Sequence, residues 1–306
     1  MRLRGTSMMK KLGGLLLALI VCTPGCNIGK KPARVAHIVP LVDENIPPKT
    51  VTVFVHGIRL SEFLQRMPIF HYGFYCPQGL TLVKDLEAKY TLSNLQELYK
   101  VDPNQFNKET FYIFGWSGKP SYKARYEAAK DLYKEIIALR QKYPGFPITV
   151  ITQSHGGNVA LNLGRIVKEN NDTSFYLDRL VIMSSPVQAA TAQYIHSPAF
   201  KRIFYFYSPT DFLQIIDPQG LHAEEACDSY LKPSFFSKRR YPDDPKLVQC
   251  RVRLNGWHMG HSSFIYKPFL RQLPSLLTTL STPEGRATLP HVKGCDKGDY
   301  MIRITT

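Results

Sequence analysis

Apolar residues along this chain fall into two periodicities that take turns, and each change of period marks an element. Residues 50–58 (Thr-Val-Thr-Val-Phe-Val-His-Gly-Ile) form a nearly continuous β-branched run, the pattern of a strand buried on both faces. Residues 110–115 (Thr-Phe-Tyr-Ile-Phe-Gly) repeat it. After Pro120 and Ser121 the period shifts to 3.6, with Tyr122, Tyr126, Ala129, Tyr133, Ile136 and Ile137 on one helical face until Pro144-Gly145 stops the helix. A strand over 148–152 follows, then a helix carrying Val159, Ala160, Leu163, Ile166 and Val167 on one side. Further strands are predicted over 177–183 and 202–207, a weaker one over 247–254, and a closing helix over 264–280 in spite of Pro268 and Pro274. Strands alternating with helices at this spacing predict an α/β fold with a mostly parallel central sheet flanked by helices. Two insertions interrupt the alternation, at about 60–109 and 216–246, and no internal repeat is visible.

The first residues stand outside this pattern. Arg2, Arg4, Lys10 and Lys11 precede a short apolar run over 15–21, which predicts a secretion signal rather than a membrane span. Thr23-Pro24-Gly25-Cys26 resembles the cleavage box of bacterial lipoproteins, whose cysteine is lipidated and becomes the new N-terminus. On this reading residues 1–25 are the signal, Cys26 carries lipid, residues 26–49 are a proline-containing tether, and the folded domain occupies 50–306. The bland alternative is a cleaved signal with no lipid. The expected address is the bacterial cell envelope.

Composition narrows the partners. The chain has 306 residues, 44% of them hydrophobic, enough for one large core. Its net charge of +15 becomes +11 once the four basic residues of 1–25 are removed. Such a surface favours anionic partners, anionic lipid headgroups first, and no recognition motif points to nucleic acid. Lys238-Arg239-Arg240 is the tight basic cluster of the mature chain and reads as a solvated loop. Cys76, Cys227, Cys250 and Cys295 permit one or two disulfides in an exported protein and match no zinc spacing.

The chemistry centres on residues 148–158, Ile-Thr-Val-Ile-Thr-Gln-Ser-His-Gly-Gly-Asn. A serine on the tight turn between a buried strand and a helix has an exposed hydroxyl, and the helix N-terminus beneath it offers N–H groups to a developing oxyanion. In a parallel sheet, residues just past the strand ends gather at one edge. Asp211, after the strand 202–207, is there as the carboxylate that orients a base, with Asp217 as fallback and a plain turn aspartate as the bland reading. His261 is the preferred base and His258 the alternative. Their His-x-x-His spacing raises a metal site, but no third ligand at useful spacing accompanies it, and none is expected. The backbone N–H groups of Ile58 and His155 are the expected oxyanion donors. His56, Gly57 and Trp116 end strands on the same edge and are expected to line a pocket, with the imidazoles of His56 and His155 in structural roles.

Ser154, Asp211 and His261, in that chain order on a parallel α/β pattern, resemble the α/β-hydrolase superfamily on its esterase and lipase side, over roughly residues 50–280. The elbow Gln153-Ser154-His155-Gly156-Gly157 resembles the Ser-His-Gly-Gly form of that family's elbow, with Thr152 where glycine is usual. The resemblance implies attack by Ser154 on a carbonyl carbon, proton transfer through His261, orientation of His261 by Asp211, an acyl-enzyme, and no cofactor. Phe63, Met67, Phe70, Tyr72, Phe74 and Tyr75 in the first insertion suit a lid or acyl-binding wall, or simple packing on the domain. A lipid or lipophilic ester is the expected substrate. The competing reading is an envelope lipoprotein that keeps the fold as a binding module without catalysis.

Overall fold

The computed structural model describes residues 50–58, 76–88, 90–216, 237–292 and 299–305. All belong to the second of the two units, Met1–Arg34 and Val35–Thr306, into which the chain divides. The signal, the tether with Cys26, the aromatic cluster from Phe63 to Tyr75, Asp217, Cys227 and Cys295 lie outside the described residues.

In chain order the strands are β1 Val51–Val55, β2 Gly79–Leu82, β3 Phe111–Gly115, β4 Ile148–Gln153, β5 Arg179–Met183, β6 Ile203–Tyr207, β7 Leu247–Leu254, β8 Trp257–His258 and β9 Asp299–Ile304. The helices are α1 Gln96–Val101, α2 Tyr122–Lys142, α3 Gly156–Glu169, α4 Ala189–Ala192, α5 Phe212–Ile215, α6 Lys267–Leu270, α7 Leu273–Ser281 and α8 Pro283–Ala287. One sheet runs β2-β3-β1-β4-β5-β6-β7-β8, with β9 also paired to β7. β2 against β3 and β8 against β7 are antiparallel, and every other pair is parallel.

The β-branched runs become strands because both of their faces are covered. Alternate residues divide between two apolar clusters: Val53, Val55, Val150 and Ile182 face α2 and α3, whereas Phe54, Ile151, Val181 and Phe206 face α1, α6 and α7. Side chains pointing to opposite faces at every step require both layers to be apolar, which is why these strands read as continuous runs. Full burial of one such Val, Leu or Phe contributes roughly 1.5–3 kcal/mol. In α2 the buried stripe is Ala128, Ala129, Leu132, Ile136 and Leu139. Tyr126 and Tyr133 only lean on it, their hydroxyls donating to Glu169 and Asp172.

Four expectations change. The closing helix is broken, because Pro268 and Pro274 each sit in the first turn of a new helix, α6 and α7. Proline has no N–H to give a preceding turn but fits a helix start. The first insertion contributes β2 as an antiparallel edge strand and α1 to the core. The strand β9, not expected, extends the sheet beside β7 with six paired residues. Lys238-Arg239-Arg240 is not a free solvated loop: Lys238 bridges to Val187, Arg239 donates to the Ser208 carbonyl at 2.6 Å, and Arg240 pairs with the buried Asp299 at 2.7 Å. Cys250 is a buried thiol, pushed well up in pKa by burial and then by Asp299. A mostly parallel sheet with helices on both faces and a strand–serine turn–helix at its centre is the α/β-hydrolase fold. No helix of the described residues is long and apolar enough to cross a membrane.

Candidate active site

β4 ends at Gln153 and α3 begins at Gly156, so Ser154 must reverse the chain in two residues. It does so at φ 55°, a left-handed conformation that costs a side-chain-bearing residue energy and is held only by its surroundings. Two backbone bonds hold it: Ser154 N–H donates to the Met183 carbonyl at 2.9 Å, and Gly157 N–H donates to the Ser154 carbonyl at 3.0 Å. Glycines make room for the turn. A Cβ at Gly57 would stand 2.6 Å from Ser154 Cβ, and one at Gly156 would stand 2.2 Å from the Val55 carbonyl oxygen. The end of β1 is thereby packed directly against the elbow. Thr152, the departure from the usual glycine, is fully buried and donates its hydroxyl to the Val181 carbonyl at 3.2 Å, which gives its polar atom a partner inside the sheet.

β6 delivers Asp211 to the same edge, 1% exposed and capping α5 through Gln214 N–H at 3.1 Å. His261, four residues past the start of β8, turns its Nδ1 to both carboxylate oxygens of Asp211, at 3.0 and 2.9 Å. That bond places the ring proton on Nδ1 and leaves Nε2 as a proton acceptor. The His261 carbonyl in turn accepts from Ser184 Oγ at 3.2 Å and from Gln153 Nε2 at 3.5 Å. Ser184 is itself left-handed, at φ 46°, and ends the strand next to the elbow. The histidine loop is therefore fastened to the residue before Ser154 and to the neighbouring strand end. Among the described residues Ser154 Oγ makes no hydrogen bond to His261, a looseness common in the absence of substrate.

The remaining expected residues separate by their partners. His258 Nε2 meets Arg253 Nη2 at 3.2 Å, so its ring faces the end of β7 while His261 faces Asp211. Burial first, and then Arg253, Arg251 and Arg239, hold the His258 pKa below its ordinary value. His56 is engaged structurally: Nδ1 donates to the Gly57 carbonyl at 2.7 Å, Nε2 accepts from Trp116 N–H at 3.1 Å, and the ring stacks on Trp116 at 5.6 Å. Trp116 Nε1 donates to the His56 carbonyl at 2.8 Å, locking the ends of β1 and β3 together. His155 lies beside Ser154 at the start of α3, its Nδ1 3.4 Å from Asn158 Nδ2, and its backbone N–H follows the serine directly. Ile58 continues from Gly57 and is half-buried. A cavity of about 630 Å³ runs from Trp116 along the first turns of α2 and is lined by none of Ser154, Asp211 and His261. Trp116 thus borders a cavity, but a separate one. Among the described residues no three His, Cys, Asp or Glu side chains gather as a metal would need.

Beneath the site lies a buried polar network that the sequence pattern did not single out. Tyr205 donates to the carbonyls of Ser185 and Arg239, at 3.2 and 2.7 Å, and accepts from Gln214, whose Nε2 also reaches the Ser185 carbonyl at 3.0 Å. Complete burial raises the Tyr205 pKa well above its ordinary value, so it remains a neutral donor. It ties the loops after β5 and β6 together under Asp211.

No family model and no curated protein matches this chain significantly. Solved structures do. A hyperthermophilic esterase from Pyrobaculum calidifontis is 11% identical over 77% of this chain and 76% of its own, with a TM-score of 0.40. A Bacillus licheniformis lipase in mature form is 12% identical over 80% and 96%, with a TM-score of 0.39. The rice cell wall degrading esterase of Xanthomonas oryzae is 12% identical over 49% and only 37% of its own chain, with a TM-score of 0.27.

Proposed function

We propose that the protein is a serine hydrolase that cleaves carboxylic esters through an acyl-enzyme, with Ser154 as nucleophile, His261 as general base and Asp211 as its orienting carboxylate. The observation that carries the reading is the pairing of a left-handed serine at a strand–helix elbow with an imidazole held through Nδ1 by a buried carboxylate. In this mechanism His261 Nε2 takes the Ser154 hydroxyl proton as Oγ attacks the ester carbonyl. The oxyanion is received by the backbone N–H groups of His155 and Ile58. His261 then gives the proton to the leaving alkoxide, the alcohol departs, and water deacylates the serine by the same relay run again. Asp211 keeps the ring in the Nδ1–H tautomer throughout and stabilises the imidazolium when it forms.

Membrane attachment through a lipidated Cys26, export to the cell envelope and a lipophilic ester as substrate complete the proposal. They rest on the basic and apolar N-terminal pattern, the Thr-Pro-Gly-Cys box and the positive charge of the mature chain. A series of p-nitrophenyl esters of increasing acyl length tests the activity. The expected result is saturable hydrolysis that falls to background in Ser154→Ala without loss of thermal stability; hydrolysis persisting in that folded variant removes Ser154 from its role.

A further inference from the structure

β7 carries a second cluster of charge that the proposed reaction does not use. Gln249, Arg251 and Arg253 alternate on the face opposite Val248, Cys250 and Val252, which belong to the apolar cluster under α6 and α7. Arg253 pairs in register with His258 on β8 and with Arg303 on β9. Asp299, the carboxylate in register with Gln249, is already satisfied by Arg240 at 2.7 Å and by the Tyr207 hydroxyl at 2.7 Å. Neither Arg251 nor Arg253 has an ion-pair partner among the described residues.

Both side chains are only partly buried, but the Nε of each is withdrawn from solvent. Among the described residues, Arg251 Nε, Arg253 Nε and His258 Nδ1 are each buried with no hydrogen-bond partner. With its Nε2 accepting from Arg253, His258 carries its proton on Nδ1, so all three buried atoms are donors without an acceptor. Buried donors and closely spaced guanidinium groups both raise the free energy of a folded protein unless something meets them. Arg239 completes the group. It reaches the Ser208 and Asp211 carbonyls at 2.6 and 3.4 Å through a single nitrogen, and with Arg251 and Arg253 it acts on His258. The three guanidinium groups and the neutral His258 imidazole therefore share one neighbourhood at the strand edge, adjoining Asp211.

We propose that Arg251, Arg253, His258 and Arg239 form a binding site for a phosphate group. Several guanidinium forks and an imidazole N–H exceed what the two oxygens and single charge of a carboxylate can satisfy. A phosphate monoester offers three terminal oxygens and about −1.5 to −2 charges, and guanidinium binds it bidentately. The proposal concerns binding alone and stands whether or not Ser154 is a nucleophile.

The chain contains two tryptophans, and they make the site readable. Trp257 precedes His258 and is 56% exposed, whereas Trp116 is 2% exposed. Full-length protein is titrated with inorganic phosphate and with sn-glycerol 3-phosphate, against chloride at matched ionic strength, following tryptophan emission. In a second arm the full-length chain bearing Cys26→Ser, so that no lipid tail drives partitioning, is co-sedimented with phosphatidylcholine vesicles with and without phosphatidic acid, a lipid phosphate monoester. The expected result is a saturable, phosphate-specific change that is absent in Trp257→Phe, retained in Ser154→Ala, and weakened at least about tenfold in Arg253→Gln. Arg251→Gln is read in the same way should Arg253→Gln not fold. A phosphate response with vesicle binding equal in wild type and variant identifies a soluble phosphate ester. Phosphatidic-acid-dependent sedimentation lost in the variant identifies a lipid headgroup. Equal responses to phosphate and chloride together with no variant-sensitive vesicle binding overturn the proposal, as does an unchanged affinity in both arginine variants.

Discussion

Ser154 owes its position to residues that do no chemistry. Its left-handed φ of 55° survives because Gly57 lets β1 close to van der Waals distance, Gly156 lets α3 start beneath the Val55 carbonyl, and Thr152 turns its hydroxyl into the sheet. The histidine is fastened twice, through Nδ1 to Asp211 and through its carbonyl to Ser184 and Gln153. This geometry ranks the two histidines of the His-x-x-His pair: His261→Ala is expected to lose about a thousandfold in kcat/KM or more, and His258→Ala far less. A reversal of that order in steady-state kinetics transfers the base role. The placement of Ser154 and Asp211 just past strand-like runs, and of His261 in a loop between a glycine and a helical stretch, was legible in the sequence, and Asp211 and His261 meet. The contacts of Ser184 and Gln214 were not, because Ser184 meets the carbonyl of the far-off His261 and Gln214 meets the Tyr205 hydroxyl and the Ser185 carbonyl, and no spacing rule connects them.

At the scale of elements, long buried strands announced themselves and short or edge strands did not. β1, β3, β4, β5 and β6 carry nearly continuous apolar and β-branched runs because helices cover both faces. β2 has four residues, all half-buried, and β9 mixes Asp299 and Arg303 into a strand that only β7 requires. The prolines of 264–280 were read as tolerated within one closing helix, whereas each sits in the first turn of a separate helix. One element inside the first insertion makes a pH-dependent contribution. Glu97 of α1 is 7% exposed and meets Arg271 at 2.9 Å and Lys100 at 3.4 Å. Burial alone would raise its pKa, but the Arg271 and Lys100 partners bring it below the ordinary 4.5. A lowered carboxylate pKa stabilises the fold above the unfolded value and loses that contribution as pH falls through the native value. Glu97→Gln is therefore expected to be less stable near neutrality by about 1 kcal/mol, given partners half open to water. The gap closes as pH falls below the native pKa. Urea unfolding of both proteins from pH 7 to pH 3 checks it, and a gap constant with pH contradicts it.

For the whole molecule, the charge and the N-terminal pattern describe where the reaction is proposed to happen. A net charge of +11 after residues 1–25 favours anionic surfaces, and a lipid on Cys26 would hold the domain against one. A single acyl chain anchors reversibly whereas two or more anchor stably, so Cys26→Ser is expected to move the protein from the membrane to the soluble fraction. Unchanged fractionation contradicts lipidation at that residue. The central claim is an activated serine at the elbow, and a fluorophosphonate probe tests it most directly, because phosphonylation requires the nucleophile and its base but no knowledge of the natural ester. Wild-type protein is expected to be labelled once per chain, at the peptide bearing Ser154, and Ser154→Ala to remain unlabelled with its fold intact. Folded wild type that takes no label, or a variant that is labelled equally, contradicts the account.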